Sequence, residues 1–245
     1  MAGLTATGKL LYFGWLIGEK DRALLLVPAA VRETARAHLA RFAVFQNAVV
    51  EDVTEEYAAW GLYGRAGPDL GLPPSAVSLP AEGEMSGGVL APAGEAGRVE
   101  DALARAGSRE LPQSEAEIRR IETGRPRFGV DADGSNLPDE VGLQDAISTK
   151  KGCYVGQEIV ARLRTYGKVS RRLVGFRFAG QLLPPGTVFP DPDKPGHEAG
   201  RVTSSAASPR FGPIGLGFAS RSVDEGATLV APGGGSADVT PLPFA

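Results

Sequence analysis

The sequence predicts an α+β protein that closes in a small β-barrel. Three observations predict it. The first 53 residues read as hairpin, helix and strand. The middle alternates short strands with capped helices. The last third is a series of short apolar runs punctuated by Gly and Pro. The expected domains are 1–53, 54–168 and 169–245.

Leu10–Ile17 and Ala23–Val27 are apolar runs separated by Gly18-Glu-Lys-Asp21, which predicts a β-hairpin with a polar turn. Pro28 stops the second strand. Val31, Ala35, Leu39 and Phe42 then recur at helical spacing among Arg32, Glu33, Arg36 and Arg41, so an amphipathic helix is expected over Ala29–Phe42. Val49–Val53 reads as a strand, completing β-β-α-β. Tyr57–Tyr63, Val77–Leu79 and Gly88–Ala91 are further strand candidates, the last two around a Gly/Glu turn. Gly64 to Pro74 reads as loop. Ala96–Ala106 reads as a helix closed by Gly107. Ser114-Glu-Ala-Glu117 has the form of a capping box and opens a helix that runs to Glu122 or Thr123, stopped by Gly124 and Pro126. Phe128 to Leu143 is polar. Its Asp131-x-Asp133-Gly134 lacks the spacing and terminal glutamate of a calcium loop, so it reads as turn chemistry. A helix over Gly156–Leu163, with Ile159 and Leu163 inward, precedes an alternating strand over Arg172–Phe178. Thr187–Phe189, Gly200–Thr203, Ile214–Ala219 and Thr228–Val230 supply the other barrel strands.

Composition narrows the function classes. The 245 residues are 42% hydrophobic and 22% charged, with a net charge of −3, which is not the balance of a general nucleic-acid binder. The charge is uneven. Lys150, Lys151, Arg162, Arg164, Lys168, Arg171 and Arg172 face one anion, Glu158, between positions 150 and 172. A local basic strip on an acidic body suits either an anionic ligand or partner, or a solvated face neutralised from elsewhere. One cysteine cannot form an intrachain disulfide, and no apolar run approaches the roughly 20 residues of a membrane span. With no signal-peptide character at the start, a soluble, cytoplasmic protein is expected.

Few residues offer chemistry. The two histidines, His38 and His197, have no Cys, Asp or Glu at metal-ligand spacing, so no metal site is expected. Gly-x-Ser-x-Gly and Walker loops are absent. Glu122 closes a helix beside a Gly/Pro break. It reads either as a carboxylate accepting two N–H bonds from an amino-pyrimidinone edge, or as a surface glutamate paired with Arg119 or Arg125. Cys153 reads either as a thiol activated by Lys150, Lys151 and nearby backbone amides, or as a small buried hydrophobe. One cysteine cannot hold an iron–sulfur cluster alone, so any cluster role needs ligands from a partner or a second copy.

Lys151-Gly-Cys-Tyr-Val-Gly-Gln-Glu158 resembles the K-G-C-Y-x-G-Q-E signature of the YgfZ family. That family is related to the T-protein, the aminomethyltransferase of the glycine cleavage system, and binds folate. Arg120-Ile-Glu-Thr-Gly-x-Pro126, Gly129-Val-Asp131, Leu137-Pro-Asp-Glu140, Ala161-Arg-Leu163, Gly167-Lys168 and Arg172-Leu-Val-Gly175 extend the resemblance, as do the opening hairpin, the first helix and Val50-Glu-Asp-Val-Thr54. The resemblance covers most of the chain and is strongest over 118–176. It implies an aminomethyltransferase-like fold: α+β domains around a central hole that holds tetrahydrofolate, then a carboxyl-terminal β-barrel. Glu122 matches the glutamate that hydrogen-bonds the pterin. Lys151, Gly152, Tyr154, Gln157 and Glu158 are the further folate-binding residues it implies, within the 54–168 domain. The negative tail of folate offers Arg162, Arg164, Lys168, Arg171 and Arg172 a partner. Cys153 matches the cysteine on which the family's role in maintaining iron–sulfur enzymes, including tRNA-modifying ones, depends.

Two departures accompany the resemblance. T-protein carries a catalytic aspartate at about the position of Leu11 or Tyr12, and the nearest acid here is Glu19. The family also carries a strand–helix unit before the first hairpin, so the N-terminal family segment is expected to be missing. The function expected is that of a tetrahydrofolate-binding accessory protein for iron–sulfur enzymes and tRNA modification. A tetrahydrofolate-dependent aminomethyl- or methyltransferase is the enzymatic alternative. A folate-independent scaffold for protein or tRNA is the third.

Overall fold

The computed structural model describes residues 1–64, 70–80, 87–148, 150–167 and 169–245. The chain forms two compact units: Met1–Val50 with Gly124–Ala245, and Glu51–Thr123. The boundary at Thr123 falls inside the expected 54–168 segment.

The first unit opens with β1 (Ala2–Leu4), β2 (Leu10–Phe13), β3 (Trp15–Gly18) and β4 (Ala23–Leu26). The expected single strand Leu10–Ile17 is two. Strand β2 pairs with β1, and β3 pairs with β4 as a hairpin. Gly14 is the corner between them, where a Cβ would sit 2.0 Å from the Leu26 carbonyl oxygen. Helix α1 (Arg32–Ala43) follows a turn at Ala29–Val31. The turn and the helix bring Val31 and Ala35, respectively, onto the fully buried Tyr12. The expected strand Val49–Val53 does not form. Asn47 takes a left-handed φ of 49°, and Val49 is 83% exposed. A short apolar run with no partner strand has nothing to satisfy its ladder.

The barrel consists of β8 (Arg171–Phe178), β9 (Val188–Pro190), β10 (Glu198–Ser208), β11 (Gly212–Ser220), β12 (Thr228–Val230) and β13 (Ser236–Thr240). The spatial order is β12-β13-β8-β11-β10-β9, every pairing antiparallel. The edge strands β9 and β12 meet again, so the sheet is nearly closed. Phe176, Phe189, Val202 and Val239 are among its buried core residues, each contributing about 1.5–3 kcal/mol on burial. Strand β10 is longer than the expected Gly200–Thr203, and β13 is additional to the expected set.

A bulge between Val202 and Ser204 breaks the β10–β11 register. Neighbouring strand residues normally face opposite sides, but here both hydroxyls, of Thr203 and Ser204, donate to Asp131 Oδ1, at 2.5 and 2.7 Å. Asp131 Oδ2 accepts the Arg127 amide at 3.0 Å. The Asp-rich loop is thus pinned to the barrel by one buried carboxylate. Asp133 accepts from the Ser135 amide, and hydrogen bonds from Ser135 hold its carboxyl below the usual aspartate value. A second core joins Leu4 and Leu10 to Ala132, Val141, Ile147, Val160 and Phe218.

The second unit contains β5 (Tyr57–Leu62), β6 (Val77–Leu79), β7 (Gly87–Pro92), α2 (Ala96–Arg105) and α3 (Gln113–Glu122). The sheet order is β5-β7-β6. Val99 and Leu103 of α2 pack on Val89 and Ala91 of β7. Gly107 ends this helix at a φ of 81°. The expected capping box does not form: Pro112 is the cap of α3, without a side-chain bond, and Ser114 lies inside the first turn. The Gly/Glu turn before β7 lies outside the described residues.

Candidate functional site

Glu122 is the last residue of α3 and only 4% exposed. A carboxylate there opposes both burial and the negative end of the helix dipole. Arg119, one turn back, compensates by donating to Glu122 Oε2 at 3.0 Å. The pairing with Arg119 is one expected for a surface glutamate; the surface position is not. Arg120 donates to Glu117, with bonds of 2.9 and 2.7 Å. Thr123 donates its hydroxyl to the Arg119 and Arg120 carbonyls, and Gly124 leaves the helix at a φ of 72°. The local sequence thus fixes one buried carboxylate at a helix end.

The Cys153 segment lies in the other unit. Ile147, 5% exposed, anchors the start of the loop, and the helix α4 (Gln157–Tyr166) receives its end. Gly156 bridges the two at a φ of 83°. A Cβ there would lie 2.6 Å from the Thr5 carbonyl oxygen and 3.2 Å from the Gly8 Cα. Only glycine fits, so this signature glycine is required by packing against the β1–β2 turn. Gln157 Oε1 accepts the Tyr154 amide at 3.1 Å, and the Gln157 amide donates to the Tyr154 carbonyl at 3.2 Å. This reciprocal pair shapes the loop before the helix. Val160, 1% exposed, drives α4 into the second core; the expected inward residues Ile159 and Leu163 are half-buried.

At the top of this loop Cys153 is a free, exposed thiol. The reading of Cys153 as a small buried hydrophobe is therefore set aside. Gly152 beside it has open space where a side chain would stand. The Lys151 ammonium sits 4.5 Å above the Tyr154 ring, an exposed cation–π contact. Glu158 is exposed in the first turn of α4, where a carboxylate favours the helix dipole.

The basic strip divides. Arg162 is exposed on α4. Only the backbone of Arg164 is described, and Lys168 lies outside the described residues. Arg171 stacks on Phe218 at 4.6 Å and approaches Glu140 to 3.5 Å. Arg172 donates to the Ser220 and Val223 carbonyls, at 3.4 and 2.9 Å. These last two are therefore tied to the barrel.

Leu11 and Tyr12 hold no carboxylate. Tyr12 is fully buried, and its hydroxyl pairs with His38 Nδ1 at 3.0 Å. Burial raises the Tyr12 pKa. Burial, then Arg41, lowers that of His38. Sequence reasoning missed this pair, since an apolar hairpin and an amphipathic helix give no sign of a shared hydrogen bond. It also missed the part of Thr5 and Gly8 in fixing Gly156. Among the described residues no group of His, Cys, Asp and Glu could hold a metal ion, and no helix is long and apolar enough to cross a membrane.

Comparison with known proteins gives three informative relatives. An aminomethyltransferase of Rubrobacter xylanophilus is 30% identical over 90% of this chain and 66% of its own length. The tRNA-modifying protein YgfZ of Colwellia psychrerythraea is 31% identical over 69% of this chain and 56% of its own. The crystal structure of the glycine cleavage system aminomethyltransferase T from Bartonella henselae matches with a TM-score of 0.72 at 19% identity, covering all of this chain and 74% of that one. The chain thus spans between half and two thirds of these two sequence relatives. No family model matches. With the aminomethyltransferase fold along its whole length and relatives of both kinds, the chain belongs to the family of YgfZ proteins and aminomethyltransferases.

Proposed function

We propose that the protein binds tetrahydrofolate, or a one-carbon derivative of it, and serves as an accessory protein to iron–sulfur enzymes, including those that modify tRNA. Glu122 carries the reading. A buried carboxylate steadied by the Arg119 guanidinium is suited to accept N–H bonds from the amino-pyrimidinone edge of a pterin. On this reading Lys151, Gly152, Tyr154, Gln157 and Glu158 form the further folate-binding segment, and Arg162 offers its exposed charge to the anionic tail. Bound folate would supply a carrier for one carbon. Cys153 acts from its exposed loop toward a partner, since one thiol cannot complete a cluster.

Isothermal titration calorimetry with tetrahydrofolate tests this. Wild type binds. Glu122→Ala loses about 1.5–3 kcal/mol, or ten- to a hundredfold in affinity, because a charged acceptor is removed. No binding heat with wild type would refute the folate reading and leave the scaffold for protein or tRNA.

A second reading, a tetrahydrofolate-dependent aminomethyltransferase, is favoured by the Rubrobacter relative. It lacks a carboxylate on β2 to act as general acid or base. Turnover of an aminomethyl donor with tetrahydrofolate would establish it, and folate binding without turnover would exclude it.

A further inference from the structure

A cleft of about 340 Å³ in the first unit is lined by Asp139, Leu163, Val169, Arg171, Arg172 and Arg221. Neither Cys153 nor Glu122 is among its walls. Its walls come from the turn at Pro138–Val141, Leu163 of α4 with Val169 beyond it, the start of β8, and Arg221 just after β11. Ser220 pairs with Arg171 across β11 and β8, and the Arg221 amide donates to the Ser170 carbonyl at 2.8 Å. That register brings a third guanidinium beside the two of the strip, from a position 49 residues on that carried no signal in the sequence.

The charges in the cleft are arranged for both signs. The Arg172 guanidinium is fixed by two neutral carbonyls, which orient it without cancelling its charge. Arg171 has Glu140 nearby and is stacked on Phe218. Arg221 is exposed. Asp139 lines the same cleft, and its Oδ2 is buried with no hydrogen-bond partner among the described residues. A charged acceptor left unpaired is costly and calls for a donor. Leu163 and Val169 add an apolar wall. A simple anion would satisfy the guanidiniums, leave Asp139 without a donor, and set two negative groups together. A simple cation would meet three guanidiniums.

We propose that this cleft binds a small zwitterion, an α-amino acid with an aliphatic side chain. Its carboxylate pairs with Arg221 and Arg172, its ammonium with Asp139, and its side chain packs on Leu163 and Val169. The cleft does not rest on the folate reading, which uses Glu122, the 151–158 segment and Arg162, none of which is among its walls.

Calorimetric titration of the full chain with L-leucine, 4-methylpentanoate, 3-methylbutylamine and inorganic phosphate tests the proposal. The second and third probes keep the leucine skeleton and lack, respectively, the ammonium and the carboxylate. Leucine binds saturably, and loss of either charge weakens binding at least about tenfold. Asp139→Asn, nearly isosteric, weakens leucine about tenfold and leaves 4-methylpentanoate unchanged. Arg221→Gln, at an exposed side chain, weakens both. Phosphate or 4-methylpentanoate binding as tightly as leucine would make this an anion site and overturn the proposal. So would no saturable binding of leucine up to ~10 mM, a result that requires no variant to fold.

Discussion

Asp131→Ala removes a carboxylate that ties the 124–143 loop to β10 of the barrel. Three donors lose their acceptor: the hydroxyls of Thr203 and Ser204 and the amide of Arg127. Thr203 has an alternative in the Leu216 carbonyl at 3.2 Å. The site is closed to water, with Asp131 1% exposed and Ser204 4%. Loss of a buried acceptor costs about 1–3 kcal/mol per donor it served. Relief of the buried charge returns part of this, so a net loss of about 2–4 kcal/mol is expected, or about 5–15 °C in Tm for a chain of this length. The two tryptophans make the measurement local, because Trp15 lies in the first unit and Trp60 in the second. In a Trp60→Phe background, urea unfolding followed by Trp15 fluorescence shifts to lower denaturant on Asp131→Ala. In a Trp15→Phe background the Trp60 transition stays in place. Asp131→Asn falls between, about 1–2 kcal/mol, because its amide sets a donor against the Arg127 N–H. A Trp15 transition within about 0.5 kcal/mol of the parent would refute the argument that this carboxylate pins the loop.

Gly156→Ala forces a Cβ toward the Thr5 carbonyl at a left-handed φ. The expected loss is about 1–3 kcal/mol in the same Trp15 assay, and a neutral result would mean that the β1–β2 turn yields to the Cys153 loop. His38 predicts a pH dependence. Its folded pKa lies below the ordinary 6.5, so the unfolded chain binds the proton first and stability falls as pH drops through about 6.5. Arg41 on the same helix and the Tyr12 hydroxyl across from it both face the ring. Between pH 7.5 and 5.5 wild type should lose more stability than His38→Gln by differential scanning calorimetry; parallel losses would show that another group titrates.

Local patterns were legible where sequence spacing and packing agree. Helix α2, with Val99 and Leu103 on one face and Gly107 at its end, is the plain case. So are strands β5 and β12. The errors have physical causes. Leu10–Ile17 is uniformly apolar, and nothing in its composition reveals that Gly14 must avoid the Leu26 carbonyl. Val49–Val53 has strand propensity and no partner. Ser114 and Glu117 have capping spacing, but Pro112 starts the helix earlier. Turn chemistry in the 131–134 stretch holds at Asp133, which accepts the Ser135 amide, while the role of Asp131 as acceptor for hydroxyls over 70 residues away depends on a bulge that no local rule supplies. At the site, the motif pointed to Cys153 and Glu122. Their states, one thiol exposed and one carboxylate buried, needed the structure. Arg221 and Asp139 needed it entirely.

The first unit is interrupted, and that has a consequence for synthesis. Glu51–Thr123 is continuous, and its sheet and the core of Val89, Ala91, Val99 and Leu103 are complete once Thr123 has emerged. Met1–Val50 does not: Leu4 and Leu10 share their core with Val160 and Phe218. At about 5–20 residues per second, translation from Val50 to Phe218 takes roughly 10–35 s. Throughout that interval Leu4 and Leu10 await part of the core they share, while a later-made unit already has its own. The nascent chain is therefore most open to chaperone capture, and to aggregation, at its beginning.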